Sequence, residues 1–182
     1  MTEARVLGIA GWSGAGKTTL ITRLIPLLAA RGRRVATLKH AHHAFDVDQP
    51  GKDSYEHRRA GACEVLVSSA RRWVQMHELG DGEEATLPEL LRRVSPCDLV
   101  LVEGFKSAGH FKLEVFRAAN GKAPLHPEDA RIVAVASDQP FPDARIPVID
   151  LNDTAGIADV VERHAVPLTA TLTALTGSPG SR

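Results

Sequence analysis

Fully apolar runs and amphipathic stretches alternate along most of the chain. Val6-Leu7-Gly8-Ile9-Ala10 and Leu99-Val100-Leu101-Val102 carry no polar side chain, the pattern of strands covered on both faces in a parallel sheet. Over Thr18–Arg31, Leu20, Ile21, Leu24, Leu27 and Leu28 recur at helical spacing. Gly32 is placed to end that helix, and Pro26 could kink it. Val35-Ala36-Thr37-Leu38 is a second strand. The spacing then predicts a short helix from Tyr55 to Ala60 with Asp53-Ser54 as its N-cap, and strands Glu64–Ser68 and Arg72–His77 joined as a hairpin by Ser69-Ala70-Arg71. A helix over Leu87–Val94, strands at Lys112–Arg117, Arg131–Ala136 and Pro147–Asp150, and a helix Thr154–His164 capped by Asn152 or Asp153 follow. Strands alternating with helices predict an α/β fold, a doubly wound, mostly parallel sheet flanked by helices, with a β-hairpin inserted at about residues 62–79. One domain is expected over 1–165, followed by a loosely ordered tail over 166–182.

Composition narrows the class. The 182 residues are 43% hydrophobic and 24% charged, ordinary globular usage that excludes wholesale disorder. Twenty-two basic residues balance 22 acidic ones, so no global basic field exists to hold nucleic acid or an anionic membrane. Five Phe, two Trp and one Tyr leave the core to aliphatic side chains. Cys63 and Cys97 are too few for a disulfide scaffold and suit a reducing compartment. With no signal-peptide pattern at the N-terminus and no apolar run long enough to span a bilayer, a cytoplasmic protein is expected.

The sharpest chemistry lies between the first strand and the first helix. Gly11-Trp12-Ser13-Gly14-Ala15-Gly16-Lys17-Thr18 matches G-x-x-x-x-G-K-[ST] at every fixed position. The glycines let the backbone curl so that successive N–H groups face one anion. Lys17 is expected to reach the terminal phosphates and Thr18 to ligate Mg²⁺, while the helix dipole points at the same charge. Gly11, Ser13, Gly14, Ala15, Gly16, Lys17, Thr18 and Thr19 are therefore the candidate nucleotide-binding residues, and the fold is expected to be of P-loop NTPase type. Such a loop needs an acidic partner at the end of a neighbouring strand. Glu103 ends Leu99–Val102; Asp98 enters that strand roughly 16 Å away at about 3.3 Å per residue, and is the poorer choice. Lys17 and Glu103 are the candidate catalytic residues, Thr18 and Glu103 the candidate metal ligands.

Other residues stay open to two readings. The polar run from Lys39 to Ser54 is longer than a compact domain usually gives a connector, which points to function. Lys39 and His40 could face phosphate or substrate, or be polar loop residues; His40, His42 and His43 could hold a transition metal, although no partners stand at zinc spacing. Arg58-Arg59 and Arg71-Arg72 are either a solvated face or a site for a second anion. Lys106 is either a phosphate ligand or a surface lysine. No N-K-x-D guanine clamp is present, and Asp138, after a predicted strand, is either its substitute or an ordinary turn residue.

Taken together, G-W-S-G-A-G-K-T, T-L-K-H-A-H-H-A-F-D-V-D-Q-P-G-K-D-S, H-R-R-A-G-A, S-S-A-R-R-W and D-L-V-L-V-E-G-F-K closely resemble the molybdopterin-guanine dinucleotide biosynthesis protein B family over about residues 5–165. The resemblance implies a P-loop fold that binds GTP with Mg²⁺, hydrolyses it weakly, forms a homodimer, and assists the guanylyltransferase that attaches GMP to molybdopterin. By the same resemblance Gly14, Gly16, Lys17 and Thr18 hold phosphates and Mg²⁺, Glu103 sits on the metal side, and the basic hairpin serves dimer contacts or the molybdopterin partner. Two alternatives share the loop: a small-molecule kinase using the Arg58-Arg59 pair, and a nucleotide-gated metal-delivery protein using the His40–His43 cluster.

Overall fold

A computed structural model describes residues 3–41 and 45–177. In chain order the elements are β1 (Arg5–Ala10), α1 (Lys17–Ala30), β2 (Val35–Lys39), α2 (Asp53–Arg59), β3 (Glu64–Ser68), β4 (Trp73–His77), α3 (Leu87–Arg92), β5 (Leu99–Glu103), β6 (Lys112–Phe116), a 3-10 turn (Ala118–Asn120), β7 (Ile132–Ser137), β8 (Val148–Asp150), α4 (Thr154–His164), β9 (Val166–Pro167) and α5 (Leu168–Thr176). They form two units, one of residues 1–40 and 87–182, the other of residues 41–86.

The first unit is built on a sheet of order β2-β5-β1-β6-β7-β8 in which every pair on that path is parallel. β1 sits at its centre and is buried beyond its first residue. Alternation sends its side chains into two cores. Leu7 and Ile9 join Leu20, Leu24 and Leu28 of α1 and Ile157 and Val161 of α4; Val6 joins Val100 and Val102 of β5, Leu87 and Leu91 of α3, and Leu175 of α5. Helices thus cover both faces, as the fully apolar strands require, and the doubly wound α/β expectation holds. The α1 helix begins at Lys17, one residue before the predicted start, and continues through Pro26.

The polar cap of α4 is Asp153, whose carboxylate accepts the Gly156 N–H at 2.9 Å. Asp53 does not cap α2: the capping position is Lys52, and Asp53 lies inside the first turn, where a carboxylate still favours the dipole. Ser54 donates instead to Asp48 at 2.9 Å. A larger difference concerns the end of the chain. Instead of a loose tail after 165, β9 pairs antiparallel with β1 through Arg5↔Pro167 and Val6↔Val166, and α5 then packs on α3. Leu168, Leu172 and Leu175 supply the apolar stripe that makes this worthwhile. The Arg5 guanidinium donates to the Ala165 carbonyl, fixing the approach.

The second unit is wider than the predicted hairpin. It holds α2, and the antiparallel pair β3–β4 runs in register from Glu64↔His77 to Ser68↔Trp73. Arg58 ties it together, donating to Asp46 and Glu78 at 2.8 and 2.7 Å and lying 3.5 Å from Asp48. Leu66, Val67, Trp73, Val74 and Leu79 are all exposed on it.

Candidate phosphate-binding site

The C-terminal ends of β1, β5 and β2 lie side by side, because the register pairs Ile9 with Glu103 and Glu103 with Lys39. Immediately beyond β1 the chain turns through 11–16 into α1. Gly16 caps that helix at φ 96, a left-handed conformation that L side chains rarely adopt. A Cβ on Gly11 would collide with the Val115 carbonyl of β6, so the loop runs hard against the neighbouring strand. The Ala15 N–H closes on the Trp12 carbonyl at 3.1 Å. This geometry leaves the α1 N-terminus, with its unpaired N–H groups, at the loop's open side.

Lys17 curls back over the loop and donates to the Gly11 and Trp12 carbonyls at 2.9 and 3.0 Å. Its ammonium is held below the ordinary lysine range, chiefly by burial and further by the charges of Lys39 and Lys106; Glu103 opposes the shift. The Thr18 hydroxyl donates to Glu103 Oε1 at 2.8 Å, and Lys39 Nζ lies 3.8 Å from Glu103 Oε2. Glu103, with its side chain only 12% exposed, therefore joins β5, β2 and the start of α1. Lys106 stacks over the Trp12 ring, 4.4 Å from its centroid. After Glu103 the backbone bends through Gly104 at φ 92 and Phe105 at φ 48, and Phe105 packs against the His40 ring at 4.7 Å. A non-glycine residue in the left-handed region is a local strain, of the kind that collects at functional sites.

The sequence-predicted residues thus separate into groups. Gly11, Ser13, Gly14, Ala15, Gly16, Lys17, Thr18, Glu103, Lys39, His40 and Lys106 all lie at one sheet edge, and Thr19 follows on the first turn of α1. Asp98 sits at the opposite strand end, its carboxylate accepting the Arg34 N–H at 2.7 Å. Asp138 follows β7 and uses one carboxylate oxygen to accept the Ala118 N–H at 2.9 Å. Arg58 and Arg71 belong to the second unit. Arg58 is engaged by carboxylates, which hold its guanidinium above the usual arginine range; Arg71 lies in the hairpin turn closed by the Ser69 hydroxyl. His42 and His43 lie outside the described residues. Among the described residues no group of three or more His, Cys, Asp or Glu side chains could hold a metal ion.

Sequence reasoning missed the wall on the other side of the loop. Glu114 of β6 is fully buried and accepts from the backbone of Leu125 and His126 at 2.6 and 2.9 Å and pairs with the His126 ring at 3.0 Å. It thereby pins the segment after β6 against the sheet. From that segment Asn120 donates to the Ser13 carbonyl at 3.2 Å, and the Trp12 indole donates to the Ala123 carbonyl at 2.9 Å. The available signal was the pair of charges, Lys112 and Glu114, alternating with apolar residues in a strand that is buried throughout.

A parallel sheet of this order, with a glycine-rich loop between its central strand and a helix and an acidic residue ending the adjacent strand, defines a nucleotide-binding protein of the P-loop NTPase type. Residues 6–138 match the family model for molybdopterin guanine dinucleotide synthesis protein B. Over 163 residues the chain is 48% identical to the molybdopterin-guanine dinucleotide biosynthesis adapter protein of Escherichia coli, covering 88% of this chain and 93% of that protein. It is 40% identical to the adapter protein of the same description from Haemophilus influenzae, over 86% of this chain and 87% of that one. A crystal structure of molybdopterin-guanine biosynthesis protein B superposes with a TM-score of 0.68 at 29% identity, covering 87% of this chain and 98% of that chain. The chain belongs to the molybdopterin guanine dinucleotide synthesis protein B family.

Proposed function

We propose that this chain is a GTP-binding adapter of molybdopterin-guanine dinucleotide biosynthesis, hydrolysing GTP slowly with Mg²⁺ and assisting the guanylyltransferase that joins GMP to molybdopterin. The observation that carries the nucleotide reading is the Thr18 hydroxyl at 2.8 Å from the Glu103 carboxylate, directly beside the phosphate loop. That pair of hard oxygens fits Mg²⁺, which prefers oxygen ligands and keeps waters of its own. Bound there, the ion would neutralise phosphate charge. The rest is the chain's own work: loop N–H groups and Lys17 hold the phosphates, Glu103 orients the Thr18 hydroxyl, and Lys39 and Lys106 add positive charge at the rim. Asp138, at the end of β7, is the residue we assign to the base.

The adapter role rests on the relatives' descriptions and on the near-complete coverage of each. The exposed apolar side chains of the β3–β4 hairpin support a homodimer formed through the second unit. Lys39, His40 and Lys106 at the loop are the residues we assign to a second anion such as molybdopterin; within the second unit Arg71, in the hairpin turn, is a separate candidate for an anion, and Arg58, its charge already balanced, serves that unit's own structure. Two unpaired thiols fit a reducing cytoplasm.

The test is calorimetric titration with GTP and ATP analogues, each with Mg²⁺. A GTP preference of about tenfold, worth about 1.4 kcal/mol, is expected, and Lys17→Ala should abolish most of the binding. A preference for ATP would replace this reading with the kinase one, and undiminished affinity in Lys17→Ala would remove the phosphate-loop reading altogether.

A further inference from the structure

The wall formed by the segment after β6 brings a cation to the loop from the side opposite Glu103. Arg117 is the first residue past β6, and β6 flanks β1 on the edge away from β5. A Cβ placed on Gly16 would lie 3.3 Å from Arg117 Nε, 3.7 Å from Nη2 and 3.9 Å from Cζ. The guanidinium therefore lies along the last glycine of the loop, at the residue that caps α1. Its position is held from both sides. Glu114 anchors the following segment to β6, and Asp138 fixes the next residue by accepting the Ala118 N–H. Among the described residues Arg117 makes no ion pair, in contrast with Arg31, Arg33 and Arg58, whose guanidinium groups all meet carboxylates at 2.7–2.8 Å. A guanidinium fork is complementary to carboxylate and phosphate oxygens alike; with no carboxylate paired to Arg117 among the described residues and the phosphate-type loop beside it, phosphate is the complement its position favours.

We infer that Arg117 is a nucleotide-binding residue that donates to the phosphate chain from the β6 side, facing the phosphate held by the Gly16 end of the loop. This rests on the nucleotide reading above and adds a ligand to it. The loop N–H groups and Lys17 hold the phosphates from below, Thr18 and Glu103 flank them on the β5 side, and Arg117 closes the β6 side. The bond is charge-assisted, so its removal should weaken a di- or triphosphate about tenfold to a hundredfold.

The experiment titrates wild type, Arg117→Ala and Arg117→Lys with GDP and with a non-hydrolysable GTP analogue, both with Mg²⁺, and follows the fold by thermal melting. The expected result is a loss of tenfold or more in Arg117→Ala for both nucleotides, partial recovery in Arg117→Lys, which keeps the charge and loses the fork, and melting close to wild type. If Arg117→Ala does not fold, Arg117→Gln, uncharged and of similar reach, takes its place. Affinity within twofold of wild type overturns the inference, as does an equal loss in Arg117→Lys, which would mark a packing role. Should wild type itself bind neither nucleotide, the nucleotide reading falls and this inference with it; wild-type binding with an indifferent Arg117 removes this inference alone.

Discussion

His110 offers a test of the folded state that involves no ligand. It is buried to 3% exposure, and neither ring nitrogen has a hydrogen-bond partner among the described residues. It lies against the backbone of β1, where a Cβ on Gly8 would collide with its Nε2. Lys112, also buried, stands beside it on β6, donating to the Ala108 and His110 carbonyls and pairing with Asp129 at 3.0 Å. Burial, and then the Lys112 charge, push the imidazole down to about 4 from 6.5, with Asp129 and the Ala108 backbone working the other way. A group whose pKa is depressed by folding binds its proton more readily in the unfolded chain. Its contribution to stability is therefore complete above pH 6.5 and is lost as the pH falls toward 4. Each tenfold drop in proton affinity is worth about 1.4 kcal/mol, so the whole effect is about 3 kcal/mol, of which about 2 kcal/mol disappears between pH 7 and pH 5. Urea denaturation across that window, comparing wild type with His110→Leu, isolates it: the difference in stability between the two should change by about 2 kcal/mol in favour of the variant as the pH is lowered. Parallel curves, with no pH dependence in the difference, would mean that the His110 imidazole is not the group that links folding to protons in this range.

Glu103→Gln keeps the shape of the site and removes the charge that faces Thr18 and Lys39; nucleotide affinity should fall about tenfold with Mg²⁺ present and little without it, by calorimetry in magnesium and in EDTA. An equal loss in both conditions would place Glu103 outside the metal site. Trp73→Asp inserts a charge into the exposed apolar face of β4; by sedimentation velocity wild type is expected to run as the proposed dimer and the variant as a monomer, and a variant that stays dimeric would move the interface off the hairpin.

Local features were legible in the sequence wherever one segment carried the whole signal. The phosphate loop was found because every fixed residue lies within eight positions between an apolar strand and an amphipathic helix. Glu103 was found because Leu99–Val102 must be buried on both faces and so delivers whatever follows it to the sheet edge. Helix and strand positions agreed to within a residue or two, since the periodicity is set by each element's own side chains. The family was legible for the same reason: its marks are contiguous stretches.

What tertiary structure alone decided involves residues brought together across long separations. Val166–Pro167 is a strand only because β1 has a free flank beside Arg5 and Val6, and no two-residue segment carries a period of its own. The helix after it was lost to sequence reading because its threonines resemble a polar tail, while Leu168, Leu172 and Leu175 gain their meaning from α3 and β5 opposite. Lys112, Glu114 and His110 look like solvent-facing positions in the sequence, and became a buried layer because Asp129 and His126 fold back to meet them. Arg117 and Asn120 stand about a hundred residues from the loop they border, and a contact at that distance leaves no mark in the local pattern of either segment. The local pattern was enough to put a glycine-rich loop of phosphate-binding type between β1 and α1; packing of β6 against β1 decided what else surrounds it, because the cost of closing so long a loop is recovered only when the whole sheet assembles.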